Sequence, residues 1–173
     1  MAEDFSIPTV SQVDLPRYLG LWYEICRLPM KWEDEAASDI TAHYSLKPDG
    51  KVKVDNRCID ADGKPAQAVG EAEAVDDSMA RLTVTFLPAG LRWLPFTKGD
   101  YWVLMLDEDY RIALVGSPDR KYLWLLSRTP QLSPAERAPF LAHAEQLGFD
   151  LAPLITPQQS GGQVTDAMLD REG

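Results

Sequence analysis

From residue 38 onward the chain alternates apolar and polar positions with a period of two, the signature of half-buried strands. In the run 38–46, Ile40, Ala42, Tyr44 and Leu46 share one face, opposite Thr41, His43 and Ser45. Pro48-Asp49-Gly50 then signals a turn. The next run sets Val52, Val54, Asn56 and Cys58 against Lys51, Lys53, Asp55 and Arg57. After a turn at 60–65, Ala66, Ala68, Gly70, Ala72 and Ala74 form a face of small residues. A turn at Asp76-Asp77-Ser78 leads to Leu82, Val84 and Phe86 on one side of another strand. Three further runs, at 100–106, 110–115 and 121–128, are apolar on both faces. A first strand at 21–28 precedes them all, opened by Gly20-x-Trp22. Strands joined by short connections with no helix between them predict an up-and-down antiparallel sheet. Closing that sheet on itself removes its edges, so the expected fold is all-β, an eight-stranded antiparallel β-barrel.

Strands that are apolar on both faces need cover outside as well as inside. Ser133-Pro134-Ala135-Glu136 is a capping box with Pro at the first helical position. A helix is expected from there to Leu147, stopped by Gly148, with Phe140, Leu141, Ala144 and Leu147 on one side. Pro139 is its flaw, because it removes an internal hydrogen bond. Residues 151–155 are expected to add a short strand. The chain divides into an N-terminal arm at 1–13, a barrel with external helix at 14–155 and a flexible tail at 156–173.

Following the strands up and down sorts the residues by end. Trp22, Leu46, Val52, Leu82, Met105, Ile112 and Arg128 fall at one end. Leu28, Ile40, Asn56, Cys58, Ala66, Phe86, Tyr101 and Tyr122 fall at the other, which the loops 29–37, 60–65, 88–99 and 116–120 surround. A guanidinium at Arg128 then stacks on the Trp22 indole and ties the last strand to the first.

The formal net charge of −10 argues against nucleic acid and against charge-held anionic membranes as partners. An apolar ligand is compatible with it. Met1-Ala2-Glu3-Asp4 is acidic and has no apolar core, so it is not a signal peptide. That fits a cytoplasmic chain or the mature form of an exported one. Cys26 and Cys58 have no CxxC spacing and no paired histidine, so no metal site is expected. They lie on strands one apart, roughly 9–10 Å from each other, beyond the usual reach of a disulfide. His43, the best candidate haem ligand, falls on the polar face of its strand, and no cofactor is expected.

Three regions carry a resemblance. Gly20-x-Trp22, the Asp107-x-x-Tyr110 turn and Arg128 within Ser127-Arg128-Thr129-Pro130 resemble the signature regions of lipocalins. More narrowly, Trp22-Tyr23-Glu24-Ile25, Tyr44-Ser45-Leu46, Asn56-Arg57 and the string 113–124 resemble the bacterial outer-membrane lipocalins, relatives of apolipoprotein D and of plant temperature-induced lipocalins. The resemblance covers about residues 14 to 155. It implies a calyx that binds a fatty acid, a lysophospholipid or a similar hydrophobic small molecule, without catalysis. It also implies an outer-membrane or periplasmic location, with Gly20, Trp22, Asp107, Tyr110 and Arg128 closing the barrel. Asn56, Tyr101 and Trp124 match positions where polar and aromatic groups line the family's pocket. Together with the inward strand faces, the expected ligand-binding set is Leu28, Ile40, Ala42, Tyr44, Asn56, Ala68, Val84, Phe86, Tyr101, Val103 and Trp124.

Two other readings stand beside the carrier. Cys26, on the Trp22 face of its strand, is a candidate thiol nucleophile, although Arg27 points the other way and leaves it without an activating partner. The 88–99 loop, with Trp93, Leu94 and Phe96, is a candidate membrane contact or homodimer contact.

Overall fold

A computed structural model describes residues 7–29, 36–86 and 98–171. Eight strands run through it: β1 (Gly20–Arg27), β2 (Ser38–Leu46), β3 (Val52–Ile59), β4 (Pro65–Ala74), β5 (Arg81–Thr85), β6 (Lys98–Leu106), β7 (Ile112–Gly116) and β8 (Leu123–Ser127). Each pairs antiparallel with the next, and β8 returns to β1 to close the barrel. The expected barrel and outer helix are both present. The helical elements are α1 (Leu15–Tyr18), α2 (Pro134–Gln146) and α3 (Asp166–Arg171). Of the loops expected at 29–37 and 88–99, positions 30–35 and 87–97 lie outside the described residues, including Trp93, Leu94 and Phe96.

The apolar pattern divides the core into two layers. Inside the barrel, Trp22, Tyr44, Val54, Leu82, Val103 and Leu126 belong to one cluster. Outside it, Tyr23, Leu104, Leu114, Leu125, Phe140 and Phe149 form a second, between the wall and α2. This is why β6, β7 and β8 are apolar on both faces while β2 to β5 are polar on the outside. The α2 N-terminus is held by the full capping box: Glu136 N–H donates to Ser133 Oγ (3.1 Å) and Ser133 N–H to Glu136 Oε1 (3.0 Å).

Two bulges revise the face assignments. In β1 the pairing with β8 shifts between Glu24 and Cys26. Ile25 and Cys26 therefore both point outward into the layer beneath α2. Cys26 is not on the Trp22 face as expected. Arg27, opposite Trp124 of the inner cluster, turns into the barrel rather than away from it. Leu28, expected to line the ligand pocket, packs in the outer layer instead. In β6 a second shift between Val103 and Met105 sends Leu104 and Met105 outward and Leu106 inward. Cys26 and Cys58 are both thiols, with no disulfide between them.

The ends of the chain depart from expectation too. Within the expected N-terminal arm, residues 7–13 pack on the barrel: Ile7 and Val13 are buried, and Val10 N–H donates to Val103 O (3.0 Å) and Val13 N–H to Ser78 O (2.8 Å). Residues 158–171, expected to be flexible, lie along the barrel. Ile155 forms a bridge with Arg27, the one pairing in the predicted 151–155 strand. Gln159, Ser160, Gln163, Val164 and Asp166 then bond to β1, β2 and β3. The polar composition that suggested disorder supplies the side chains that tie this segment down.

Candidate functional site

The barrel interior has a packed end and an open end. At the packed end the Arg128 guanidinium lies 3.8 Å over the Trp22 ring. It donates to four backbone carbonyls: Tyr110 O (3.1 Å), Leu21 O (2.9 Å), Arg17 O (2.8 Å) and Tyr18 O (3.1 Å). Trp22 Nε1 donates to Tyr18 O (2.8 Å). Gly20 sits at φ +100°, in the left-handed region, and a Cβ there would lie 3.5 Å from Arg128 Nη1. Asp107 Oδ1 accepts from the backbone N–H groups of Arg111 (2.5 Å) and Ile112 (2.9 Å), which shapes the turn at Tyr110. The Tyr110 hydroxyl accepts from Asp14 N–H (2.8 Å), and Arg17 lies 4.2 Å over its ring. The structure thus brings together Gly20, Trp22, Asp107, Tyr110 and Arg128.

Above Trp22, three tyrosines fill the lower barrel. Tyr101 Oη lies 2.6 Å from Tyr18 Oη and 2.9 Å from Tyr44 Oη. Burial pushes all three phenols well above their ordinary range. The space left among them, Leu82, Val84 and Ala72 is about 10 Å³, room for about one water. Tyr101 is therefore a floor residue, not a mouth residue as expected. It pairs with Leu82, because β6 begins at Lys98 and is further along its path there than a strand starting at residue 100 would be.

Higher up, inward positions keep contact with solvent. Asn56, Cys58, Ala66 and Trp124 are half-buried, while Ala68 and Phe86 are exposed although their strand positions face the axis. This half of the interior is open. Tyr122 stacks on Trp124 with centroids 6.3 Å apart. The Phe86 ring lies against Gly70, where a Cβ would come within 2.8 Å of it and within 2.6 Å of Thr85 O. Asn56 Oδ1 is buried with no hydrogen-bond partner. Beside these lies a buried ion pair, Arg27 Nη1 to Glu24 Oε2 at 3.1 Å. The bulge at Ile25 creates it by putting both residues on the inner face.

The candidate residues thus fall into three places. Ala42, Asn56, Ala68, Val84, Phe86 and Trp124 line the middle and upper interior, and Ile40 is buried at the head of β2. Tyr44, Tyr101 and Val103 belong to the packed lower half, and Leu28 lies outside. His43 is exposed on the outer face. The Cys26 thiol is pushed up to about 11, chiefly by burial, with Arg137 lowering and Glu24 raising it. A thiol held that way is a poor nucleophile. Sequence reasoning missed Arg27 and Gln159. The bulge that turns Arg27 inward has no signal in an apolar strand, and Gln159 lies in a polar stretch.

A family model for the lipocalin-like domain matches residues 13–159. The chain belongs to the lipocalin family. That family binds small hydrophobic ligands. This lipocalin is 41% identical over 157 residues to the outer membrane lipoprotein Blc of Escherichia coli (strain K12), covering 90% of this chain and 84% of that one. It is 37% identical over 163 residues to temperature-induced lipocalin-1 of Arabidopsis thaliana, covering 92% and 87%. Apolipoprotein D of Bos taurus is 35% identical over 134 residues, covering 73% and 67%. Among solved structures, apocrustacyanin C1 superposes with a TM-score of 0.70 at 13% identity, covering 98% of this chain and 99% of that one. That likeness is one of fold.

Proposed function

We propose that this lipocalin binds a single-chain amphiphile, a fatty acid or a lysophospholipid, in the upper half of its barrel, and carries or stores it. The observation that carries the reading is the contrast between the two halves. The lower interior is filled, whereas the small and aromatic side chains at Ala66, Ala68, Phe86 and Trp124 keep contact with solvent. An acyl chain there gains about 25 cal/mol for each Å² of apolar surface removed from water. Asn56 is the polar group placed to orient a head group, since its buried Oδ1 has no protein partner to give up. In the same reading Gly20, Trp22, Asp107, Tyr110 and Arg128 seal the base and keep the ligand from passing through. Similarity to the outer membrane lipoprotein supports placing the protein in a bacterial envelope.

The test is displacement of a fluorescent fatty acid by unlabelled fatty acids and lysophospholipids, combined with mass spectrometry of lipids extracted from the purified protein. Saturable binding that weakens several-fold in Ala68→Trp supports the proposal. Absence of both copurified lipid and probe binding overturns it.

A further inference from the structure

The wall of the barrel is not continuous between its first two strands. β1 and β2 pair only from Gly20 opposite Tyr44 to Tyr23 opposite Thr41. Had the ladder continued, Glu24 and Ile40 would face each other next. Instead both of their carbonyls accept from one group, the side-chain amide of Gln159: Nε2 lies 2.8 Å from Glu24 O and 2.9 Å from Ile40 O. One side-chain amide takes the place of a strand pairing. Above it, Arg27 exchanges both backbone hydrogen bonds with Ile155 (2.9 and 2.8 Å). On the β2 side, Asp39 takes a left-handed backbone, φ +49°, and its N–H donates to Gln158 O (2.8 Å). Its carboxylate accepts from Ser160 N–H (2.7 Å) and Oγ (2.8 Å).

We propose that residues 155–164 are a releasable strap that closes a side entrance to the upper barrel through the gap between β1 and β2. Three observations bear on this. First, the gap is at the height of the open half: Ala42 pairs with Asn56, Thr41 with Arg57, and Arg27 with Trp124. An opening there leads to the space assigned to the ligand and not to the packed tyrosine floor. Second, the strap is held mainly by hydrogen bonds through its own short polar side chains and backbone, and most of its residues are exposed. Beyond the seam these are Gln163 Nε2 to Tyr23 Oη (3.0 Å) and Arg57 Nη1 to Val164 O (3.0 Å), with Pro157 and Val164 the buried apolar anchors and Ile155 half-buried. Segments attached by few apolar contacts open without global unfolding. Third, the wedge is imperfectly satisfied. Gln159 Oε1 is buried without a hydrogen-bond partner, which disfavours the docked state relative to one in which water reaches that oxygen.

The proposal rests on the carrier reading for its consequence but not for its mechanics, and the experiment separates the two. In full-length protein, Gln159→Ala removes both bridging bonds, and Gln163→Ala loosens the strap away from the seam. Hydrogen exchange at the amides of Arg27, Asp39 and Ile155 measures opening. Stopped-flow mixing with a dansyl-labelled undecanoic acid measures entry and exit. Gln159→Ala is expected to accelerate exchange at those amides, and probe association and dissociation together, by about tenfold, with affinity nearly unchanged. Gln163→Ala, with an exposed side chain and a fold not at risk, moves the same rates by about two- to threefold. Faster exchange with unchanged probe rates overturns the gate and leaves the carrier standing. Unchanged exchange in both variants overturns the strap itself. A wild-type protein that takes up no probe overturns the carrier reading and, with it, the entrance.

Discussion

At the scale of single residues, the packed end depends on two groups that act through geometry. Arg128 reaches four carbonyls while lying flat on Trp22. A lysine has no planar fork and cannot span those acceptors. Arg128→Lys is therefore expected to lower stability by about 1–3 kcal/mol, read as a shift in the urea midpoint, even though charge is kept. The tyrosines give the molecule an alkaline limit. Tyr18, Tyr44 and Tyr101 have folded-state values raised above the ordinary 10.0 because burial penalises the phenolate. A group with a raised folded value binds its proton more tightly when folded. Its stabilising contribution is complete below the unfolded value and is lost as pH rises beyond it. Stability should therefore fall above pH 10, the ordinary tyrosine value. Phenolate absorbance from these three should appear only together with unfolding, and Tyr18→Phe/Tyr44→Phe should flatten the fall.

At the scale of elements, what the sequence makes legible depends on whether polar residues mark the phase of a strand. β2 to β5 have polar outer faces, so Thr41, His43, Lys53 and Glu71 report which way each neighbour points. β1 and β6 are apolar on both sides beneath α2. A one-residue insertion leaves no trace there, which is why Cys26, Arg27 and Leu28 lie on faces other than those the alternation predicts. Tyr101 failed for a related reason: its height depends on where β6 begins, and pattern alone does not place that start. The site was legible as a lining of small residues on β4, whereas its seam was not, because Gln159 and Asp39 act through backbone carbonyls and a left-handed turn. α2 was legible from its capping box. Ser133→Ala, which removes the oxygen that Glu136 N–H donates to, is expected to cost about 1 kcal/mol, measured by thermal unfolding. Because Phe140 and Ala144 secure the helix from the other side, the variant should remain folded.

At the scale of the whole molecule, the barrel wall is covered unevenly. α2 and the outer cluster back β6, β7, β8 and β1, the 155–171 segment runs over parts of β2 and β3, and the rest of β2 to β5 meets water directly. In the proposed carrier, an acyl chain lodged in this asymmetric cup ends at the tyrosines. The floor is in effect a ruler. Its graduation is the height of the Tyr101 hydroxyl, and a tail too long to end above it must leave carbons in water. Affinity should climb with each added methylene, by about 0.8 kcal/mol, and then plateau at one chain length. Tyr101→Ala should move that plateau to longer fatty acids in the same displacement assay, so the preferred tail length can be reset from below, without altering any residue at the rim.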